Sequence, residues 1–462
     1  MMDETFDNLW EEFVKKEFSS LKKRKYKHFD YPITFSKKVF SNYSLFRDLF
    51  TDKFKQAFKS KQIFDRGYYP FIHYIKYSPK FRNKKDGSRV KSFKKRHIYY
   101  SSHLDSIRLS WFALILGFCY EQKLSRSKFS NSVKAYRKFD DKLNNVDFAI
   151  EAFQEIATRE NCVAVCLDIS KFFDNIPHKK LKKKWLEVIN YEFSQYDELP
   201  QNQYTAFKVM TNFHFVEKDV INDVFYYKNK FGSDNLKYCS HSDFRDFVIG
   251  TGMIQKNHLL EKQKGIPQGA PISAILSNIV MIDFDKSLFE KAEEVGGKYY
   301  RYSDDILLII NENDKEKVKS FVSERIEELG FKLNDKKERV VHFKKLNSKV
   351  KSFSSENKES RLQYLGLEFD GEDVFIRSST LSRYHGKMKK GIKRAYSIFK
   401  GKNGKGDKIF KSKLHKLYTN STSNNFIKYA HNIVNNETIL NTNKAKNQIS
   451  ARYKKLNERI ND

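Results

Sequence analysis

Three carboxylates stand where apolar runs end. Val163-Ala164-Val165-Cys166-Leu167 closes on Asp168, and the β-rich runs Lys298–Tyr302 and Ile306–Ile310 flank Ser303-Asp304-Asp305. The first run reads as a buried strand delivering a carboxylate at its end. The other two read as a hairpin with carboxylates at its tip. Carboxylates gathered in this way repel one another, so the arrangement calls for cations. Mg²⁺, hard and oxygen-seeking, suits such donors best, with Mn²⁺ as a substitute. Two such ions side by side activate an attacking hydroxyl and stabilise a leaving pyrophosphate. An Asp-Asp pair after a strand is by itself more often a turn, so the weight rests on the joint pattern.

The charge balance narrows the partner. The 462 residues carry 88 Lys and Arg against 57 Asp and Glu, a formal net charge of +31, with dense runs at Lys22–Lys27, Lys84–Arg96, Lys179–Lys184 and Lys387–Arg394. So large an excess favours a polyanion, either nucleic acid or an acidic membrane surface. Aromatic residues reach 15%, enough to fill a large core and still supply stacking surfaces for bases. Cys119, Cys162, Cys166 and Cys239 form no CxxC pair, so neither a zinc knuckle nor a disulfide framework is indicated. The longest apolar run, Leu109–Tyr120, is too short to span a bilayer. The N-terminus is acidic and amphipathic, unlike a signal peptide, so a cytoplasmic protein without a membrane partner is expected.

The elements that must position the carboxylates follow from periodicity. Residues 5–62 read as basic helices, and 82–96 as an exposed basic hairpin or loop around Asp86-Gly87. Helices are expected over Ile107–Gln122, with Asp105 or Ser106 as N-cap, over Val146–Arg159, and from Pro177-His178 to Ile189. Residues 190–262 are polar and aromatic-rich without a clear pattern. A long helix is expected over Ala270–Glu294 behind the Gly265–Gly269 turn, and another over Lys315–Leu329, stopped by Gly330. Leu362–Phe369 and Val374–Arg377 suggest a second hairpin around Asp370-Gly371, and from Ser379 the chain reads as a basic helical module.

Taken together the motifs resemble those of reverse transcriptases. Asp168-Ile169-Ser170-Lys171-Phe172-Phe173-Asp174-Asn175-Ile176 is similar to the family's first palm motif. Gly265-Ile266-Pro267-Gln268-Gly269-Ala270-Pro271-Ile272-Ser273, followed by Leu276-Ser277-Asn278, is similar to the second, and Tyr302-Ser303-Asp304-Asp305 to the YxDD box. Gly330-Phe331-Lys332-Leu333-Asn334, running to Lys337, resembles the motif after the palm helix, and Leu365-Gly366-Leu367 the primer-grip hairpin. Lys95-Arg96-His97-Ile98 and Ala135-Tyr136-Arg137-Lys138 resemble the basic finger segments. All occur in the family's order across roughly residues 90–370.

The resemblance implies an α+β right-hand polymerase fold. Its parts would be an N-terminal helical extension with fingers (1–160), a palm (161–378) with an insertion around 190–262, and a helix-rich basic thumb-like module (379–462). It implies that Asp168, Asp304 and Asp305, with the Ile169 carbonyl, hold two Mg²⁺ ions. Phe173 would be the steric gate under the incoming sugar, Gln268 and Gly269 would line the nascent base pair, Arg96 would contact the triphosphate, and Lys337 would sit near the leaving phosphate. The implied activity is RNA-directed DNA synthesis from dNTPs, with an RNA template and a DNA product. The tail around Leu414–Ala430, with Ile376-Arg377-Ser378-Ser379, resembles bacterial abortive-infection and other defence-associated members. Those imply phage defence with a dedicated non-coding RNA template, and leave oligomerisation open. Three rival readings remain: template-independent or protein-primed synthesis on the same fold, an inert RNA-binding scaffold, and RNA-templated RNA synthesis, against which the bulky Phe173 argues. The presence of all three acidic positions counts against the second.

Overall fold

The computed structural model describes residues 3–21, 26–30, 52–83, 89–139, 143–193, 195–226, 237–258, 260–400, 411–419, 426–434 and 440–461. Its strands are β1 (Phe71–Asn83), β2 (Arg89–Tyr100), β3 (Cys162–Asp168), β4 (His214–Glu217), β5 (Gln255–Lys256), β6 (Lys298–Tyr302), β7 (Asp305–Ile310), β8 (Arg339–Leu346), β9 (Lys349–Ser354), β10 (Leu362–Tyr364), β11 (Leu367–Phe369) and β12 (Val374–Ile376). The chain divides into two compact units. One contains Met1–Ser130, Ile169–Lys286 and Glu324–Lys332; the other contains Asn131–Asp168, Ser287–Ser323 and Leu333–Asp462.

The first unit holds the sheet β2-β1-β4-β5. β1 and β2 pair antiparallel from Ile72↔Tyr100 out to Asn83↔Arg89, the hairpin that Asp86-Gly87 suggested; residues 84–88 lie outside the described residues. The patternless stretch 190–262 contributes β4, which runs parallel to β1 with Phe71 opposite Phe215. Ile72 and Val216 then share a core with Phe29, Ile221, Phe225, Tyr238 and Phe244, so this stretch folds onto the ribbon's base. Helices His103–Ser125, His178–Glu192 and Ser273–Val280 pack on one another. Asp3–Leu21 closes over the first of them through Trp10, Phe13 and Trp111, whose rings meet at 5.2–5.8 Å.

The second unit is built on the sheet β6-β7-β3-β8-β9. Val163, Ala164, Val165 and Leu307–Ile310 are fully enclosed, as their unbroken β-branched and leucine runs predict. Helix Asn145–Arg159 covers one face, started by a capping box between Asn144 and Asp147. The small sheet β10-β11-β12 adds Leu362, Leu367, Phe369 and Val374 to the same core. So do Ala430, Ile433, Ala445 and Ile449 of helices Phe426–Val434 and Asn443–Ser450, while Gln448 bonds both backbone groups of Ile376. Helices Ser378–Lys400, Lys411–Tyr418 and Arg452–Asn461 enclose a separate cluster of Tyr384, Met388, Ile392, Leu414, Leu456 and Ile460. The architecture is α+β with a helix-rich C-terminus, as expected.

Several sequence expectations are corrected. The helix over Ala270–Glu294 is two helices, Ser273–Val280 and Ile282–Glu294, broken at Met281. Ile279, Val280, Met281 and Ile282 are all buried, and four consecutive apolar residues cannot share one face of an unbroken helix. The run Leu362–Phe369 is two short strands turned at Leu365 (φ 44°) and Gly366 (φ 94°), so Leu-Gly-Leu makes its own hairpin. β8 and β9 form a further hairpin that the polar Arg339–Ser354 stretch did not announce. The N-cap of helix His103–Ser125 is Ser102, whose hydroxyl accepts from the Asp105 backbone at 3.2 Å.

Asp105 has a different task. Its carboxylate takes Arg108 Nη1 at 2.9 Å, and Arg108 also donates to the Phe64, Arg66 and Gly67 carbonyls and lies 3.6 Å from the Tyr68 ring. Arg108 is wholly buried, so removing it takes the cation from a buried carboxylate and the side-chain donor from three carbonyls. Arg108→Ala should cost about 3–5 kcal/mol. Lys358→Ala, breaking an exposed pair with Glu356, should cost less than about 1 kcal/mol. Chemical denaturation followed by tryptophan fluorescence compares the two.

Candidate active site

In the second unit, β3 lies between β7 and β8, antiparallel to both. The β3–β7 register runs from Val163↔Ile310 to Asp168↔Asp305, placing these two carboxylates directly opposite one another. The β6–β7 hairpin closes with Tyr302↔Asp305, leaving Ser303 and Asp304 as its two turn residues. Ser303 takes the left-handed conformation (φ 61°) that such a tight turn demands. Arg301, fully buried, donates from Nη1 to the Ser303 carbonyl at 3.1 Å. The Ser303 hydroxyl donates to Tyr136 Oη at 3.3 Å, so the turn is held from both sides. Burial raises the Tyr302 hydroxyl pKa, and Tyr136 and Asp305 add to the effect.

Asp168 is buried, and its own partners come from the Leu333–Lys337 segment. The Asn334 amide donates to the Asp168 carbonyl at 2.8 Å, Asn334 Nδ2 reaches its Oδ2 at 3.4 Å, and Lys337 Nζ meets Oδ1 at 2.5 Å. A cation thus stands against this carboxylate. Three carboxylates at adjoining strand ends, one of them paired with an ammonium, are a hard-oxygen donor set suited to Mg²⁺. Among the described residues no three His, Cys, Asp or Glu side chains are already drawn round a single point.

The first unit holds Arg96, Ile169, Phe173, Gln268 and Gly269. Lys171 (φ 47°) turns the chain into a short 3₁₀ helix, Phe172–Asn175. Phe172 is buried against Phe331 at 5.2 Å, while Phe173 is half-buried. The different burial of the two rings comes from this helical turn. The Gly265–Gly269 loop is bonded along this segment. Ile266 donates to the Phe173 carbonyl and Gly265 to the Ile176 carbonyl, both at 2.9 Å, and His178 Nε2 lies 2.8 Å from the Gly265 carbonyl. At its far end the Gln268 carbonyl accepts from the Tyr99 amide of β2 at 2.9 Å. Gly269 has φ 122°, and a Cβ there would sit 2.7 Å from the Tyr99 carbonyl. Only glycine fits. Arg96 lies on β2 opposite Lys76 and donates to Ser78 Oγ at 3.3 Å. Ile169 is buried at the start of this unit's second segment.

The sequence profile of the reverse transcriptase (RNA-dependent DNA polymerase) family matches residues 123–369. The chain belongs to the reverse transcriptase family. Among solved structures it is similar to apo telomerase from Candida tropicalis truncated of its C-terminal domain, with 12% identity, covering 66% of this chain and 55% of that one at a TM-score of 0.40. Apo telomerase from Candida tropicalis gives 13% identity over 90% of this chain and 64% of that one, TM-score 0.41. Telomerase from Candida albicans in complex with the TWJ fragment of telomeric RNA gives 15% identity, 74% and 54%, TM-score 0.37. The chain thus spans a little over half the length of the first of these. Among the described residues no helix is long and apolar enough to cross a membrane.

Motif reading in this family member passed over Arg301 and Asn334 as site-shaping residues. The signal for Arg301 was present: a charged residue between the tyrosines of the Lys298–Tyr302 strand. Asn334 lay within a quoted motif but showed its bond to Asp168 only in the fold. Phe172→Ala should lower stability by about 3–5 kcal/mol, whereas Phe173→Ala should cost clearly less, as chemical denaturation can determine.

Proposed function

We propose that the chain is an RNA-directed DNA polymerase, joining dNTPs by nucleotidyl transfer on an RNA template. The observation that carries this reading is the Asp168↔Asp305 register with Asp304 in the adjoining turn, in a chain of the reverse transcriptase family. Asp168, Asp304 and Asp305, with the Ile169 carbonyl, would hold two Mg²⁺ ions. When bound, these ions would lower the pKa of the primer's 3′-hydroxyl and neutralise charge on the departing pyrophosphate. Lys337, already against Asp168, would move to the leaving phosphate and supply a proton. Arg96 would take the triphosphate, Gln268 and Gly269 would line the nascent base pair, and Phe173 would lie beneath the sugar.

In the same reading, residues 1–160 act as extension and fingers, 161–378 as palm and 379–462 as thumb. The net charge of +31 suits the phosphate backbone of primer and template. The tail motifs support a finer proposal: a cytoplasmic abortive-infection enzyme of bacterial phage defence, copying a dedicated non-coding RNA and able to oligomerise. Of the quoted Leu414–Ala430 tail, residues 420–425 lie outside the described residues.

Asp304→Asn should abolish incorporation in Mg²⁺ while leaving fold and RNA binding intact. In phage challenge it should lose protection while still co-purifying one discrete RNA. Near-parental incorporation would remove the metal assignment; protection by this variant, or heterogeneous RNA, would remove the defence assignment.

Phe173→Val should raise ribonucleotide use relative to deoxynucleotide use, because the ring would exclude a 2′-hydroxyl by overlap. Single-nucleotide incorporation with matched dNTP and rNTP reads this out, and an unchanged ratio in the folded variant rejects the gate.

A further inference from the structure

In the second unit, a separate cluster of polar side chains stands at the opposite end of β3 from Asp168. Val163 lies between Ile310 of β7 and His342 of β8, so this end of the sheet carries a histidine. Asp168 is five residues farther along β3, about 17 Å away at roughly 3.4 Å per residue. Past Ile310 the chain turns into the 3₁₀ helix Glu312–Asp314, and Glu312 Oε2 meets His342 Nδ1 at 2.5 Å. On its other side His342 pairs with Phe353 of β9. Two residues beyond Phe353, the Ser355 hydroxyl oxygen lies 3.5 Å from His342 Nε2. Carboxylate, imidazole and hydroxyl thus follow one another in a chain.

The carboxylate decides the tautomer. Burial alone would raise the Glu312 pKa, but Lys315 and His342 outweigh it and hold the group below its ordinary value. Lys315 Nζ also fixes Oε1, at 2.8 Å. An ionised carboxylate only accepts, so Nδ1 donates to it and the Nε2 lone pair is left facing the Ser355 hydroxyl. His342 sits in a strand paired on both sides, whereas Ser355 is exposed in the turn after β9. That turn is itself tied down. The Ser354 carbonyl accepts from the Asn357 amide at 2.9 Å, and the Ser354 amide donates to the Lys358 carbonyl at 2.8 Å. Ser355 lines a groove of about 970 Å³, together with Arg339, Lys351, Glu359, Arg361 and Asp373. A groove of this size admits a small ligand. Its charged walls favour a polar acyl group over an alkyl chain, beside which they would lose water without gaining a partner.

We propose that Ser355, His342 and Glu312 form a second catalytic site, which hydrolyses short, polar carboxylic esters through an acyl-serine. The Ser355 oxygen attacks the ester carbonyl while His342 Nε2 takes its proton. The bond to the alcohol oxygen then breaks, and His342 returns the proton to the departing alcohol. Water repeats the two steps, releasing the acid and restoring the serine. Glu312 touches no substrate; it positions the imidazole and stabilises it while it carries the proton. Asp168, Asp304, Asp305 and nucleotides take no part, so this activity is independent of polymerisation.

The full chain is treated with a fluorophosphonate, which an activated serine captures with loss of fluoride, and the labelled peptide is located by mass spectrometry. Ser355 should carry the label. His342→Gln should slow its labelling about 100-fold or more, the usual worth of a general base. Turnover of p-nitrophenyl acetate should fall to background in Ser355→Ala, which alters only an exposed side chain and should leave nucleotide incorporation at the parental rate. Glu312→Gln should lower kcat for the ester with KM unchanged, and Glu312→Asp should restore part of it. The octanoate ester should turn over more slowly than the acetate. An unlabelled Ser355 in the folded chain overturns the proposal, as does equal labelling in His342→Gln or parental ester turnover by Ser355→Ala. Faster turnover of the octanoate overturns the polar substrate class, and an unchanged kcat in Glu312→Gln removes Glu312 from the site.

Discussion

The antiparallel register of β3 with β7 is the constraint from which the site follows. It sets Asp168 opposite Asp305, a like-charge cross-strand pair that costs up to about 1 kcal/mol where such groups are exposed. Against that stand Ile306 to Ile310, all buried, each contributing roughly 1.5–3 kcal/mol by leaving water. Burial wins by a wide margin. Slipping the register by one residue would exchange the side chains of two buried, differently packed faces, so the strands cannot relieve the repulsion by moving. The relief has to come from a cation. Lys337 supplies one at Asp168, with Nζ 2.5 Å from Oδ1.

The same rigidity explains the supports around the turn. Ser303 adopts a conformation that most residues avoid, and Arg301 and Tyr136 hold it there. An arginine buried in the strand leading into the turn is costly unless its donors are used, and a bond to the Ser303 carbonyl uses one of them. Tertiary packing thus fixes a carboxylate pair on a hairpin tip that would fray in an isolated peptide.

In the first unit the organising device is a strip of backbone bonds. The Gly265–Gly269 loop is tied to Phe173 and Ile176 at one end and to Tyr99 of β2 at the other. Phe173 and the strand carrying Arg96 are therefore held in one frame. Bonds to backbone do not depend on side-chain identity, so the sequence requirement reduces to Gly269, where a Cβ would strike the Tyr99 carbonyl. The net charge has little part in any of this. Its consequences are long-range attraction and salt dependence.

The sequence by itself determined the chemistry and the local elements. Apolar runs ending in Asp168 and flanking Asp304-Asp305 could be read as strands because their length and β-branched content leave few alternatives, and motif order named the family. Helix His178–Glu192, the β6–β7 hairpin and the basic C-terminal helices were legible for the same reason: periodicity is local. What the fold alone decided is long-range. That the patternless 190–262 stretch would send β4 alongside β1, or that Met281 would break a helix to bury both of its flanks, depends on partners far away in the chain. The same holds for Phe426–Val434 and Asn443–Ser450, which close the palm core although the basic tail read as a module apart. Asn334 and Lys337 on Asp168, and Arg301 on Ser303, are contacts between side chains and distant or turned backbone. A one-dimensional pattern carries which residues are apolar and which are charged; it does not carry which of them meet, because that is settled by the packing that excludes water.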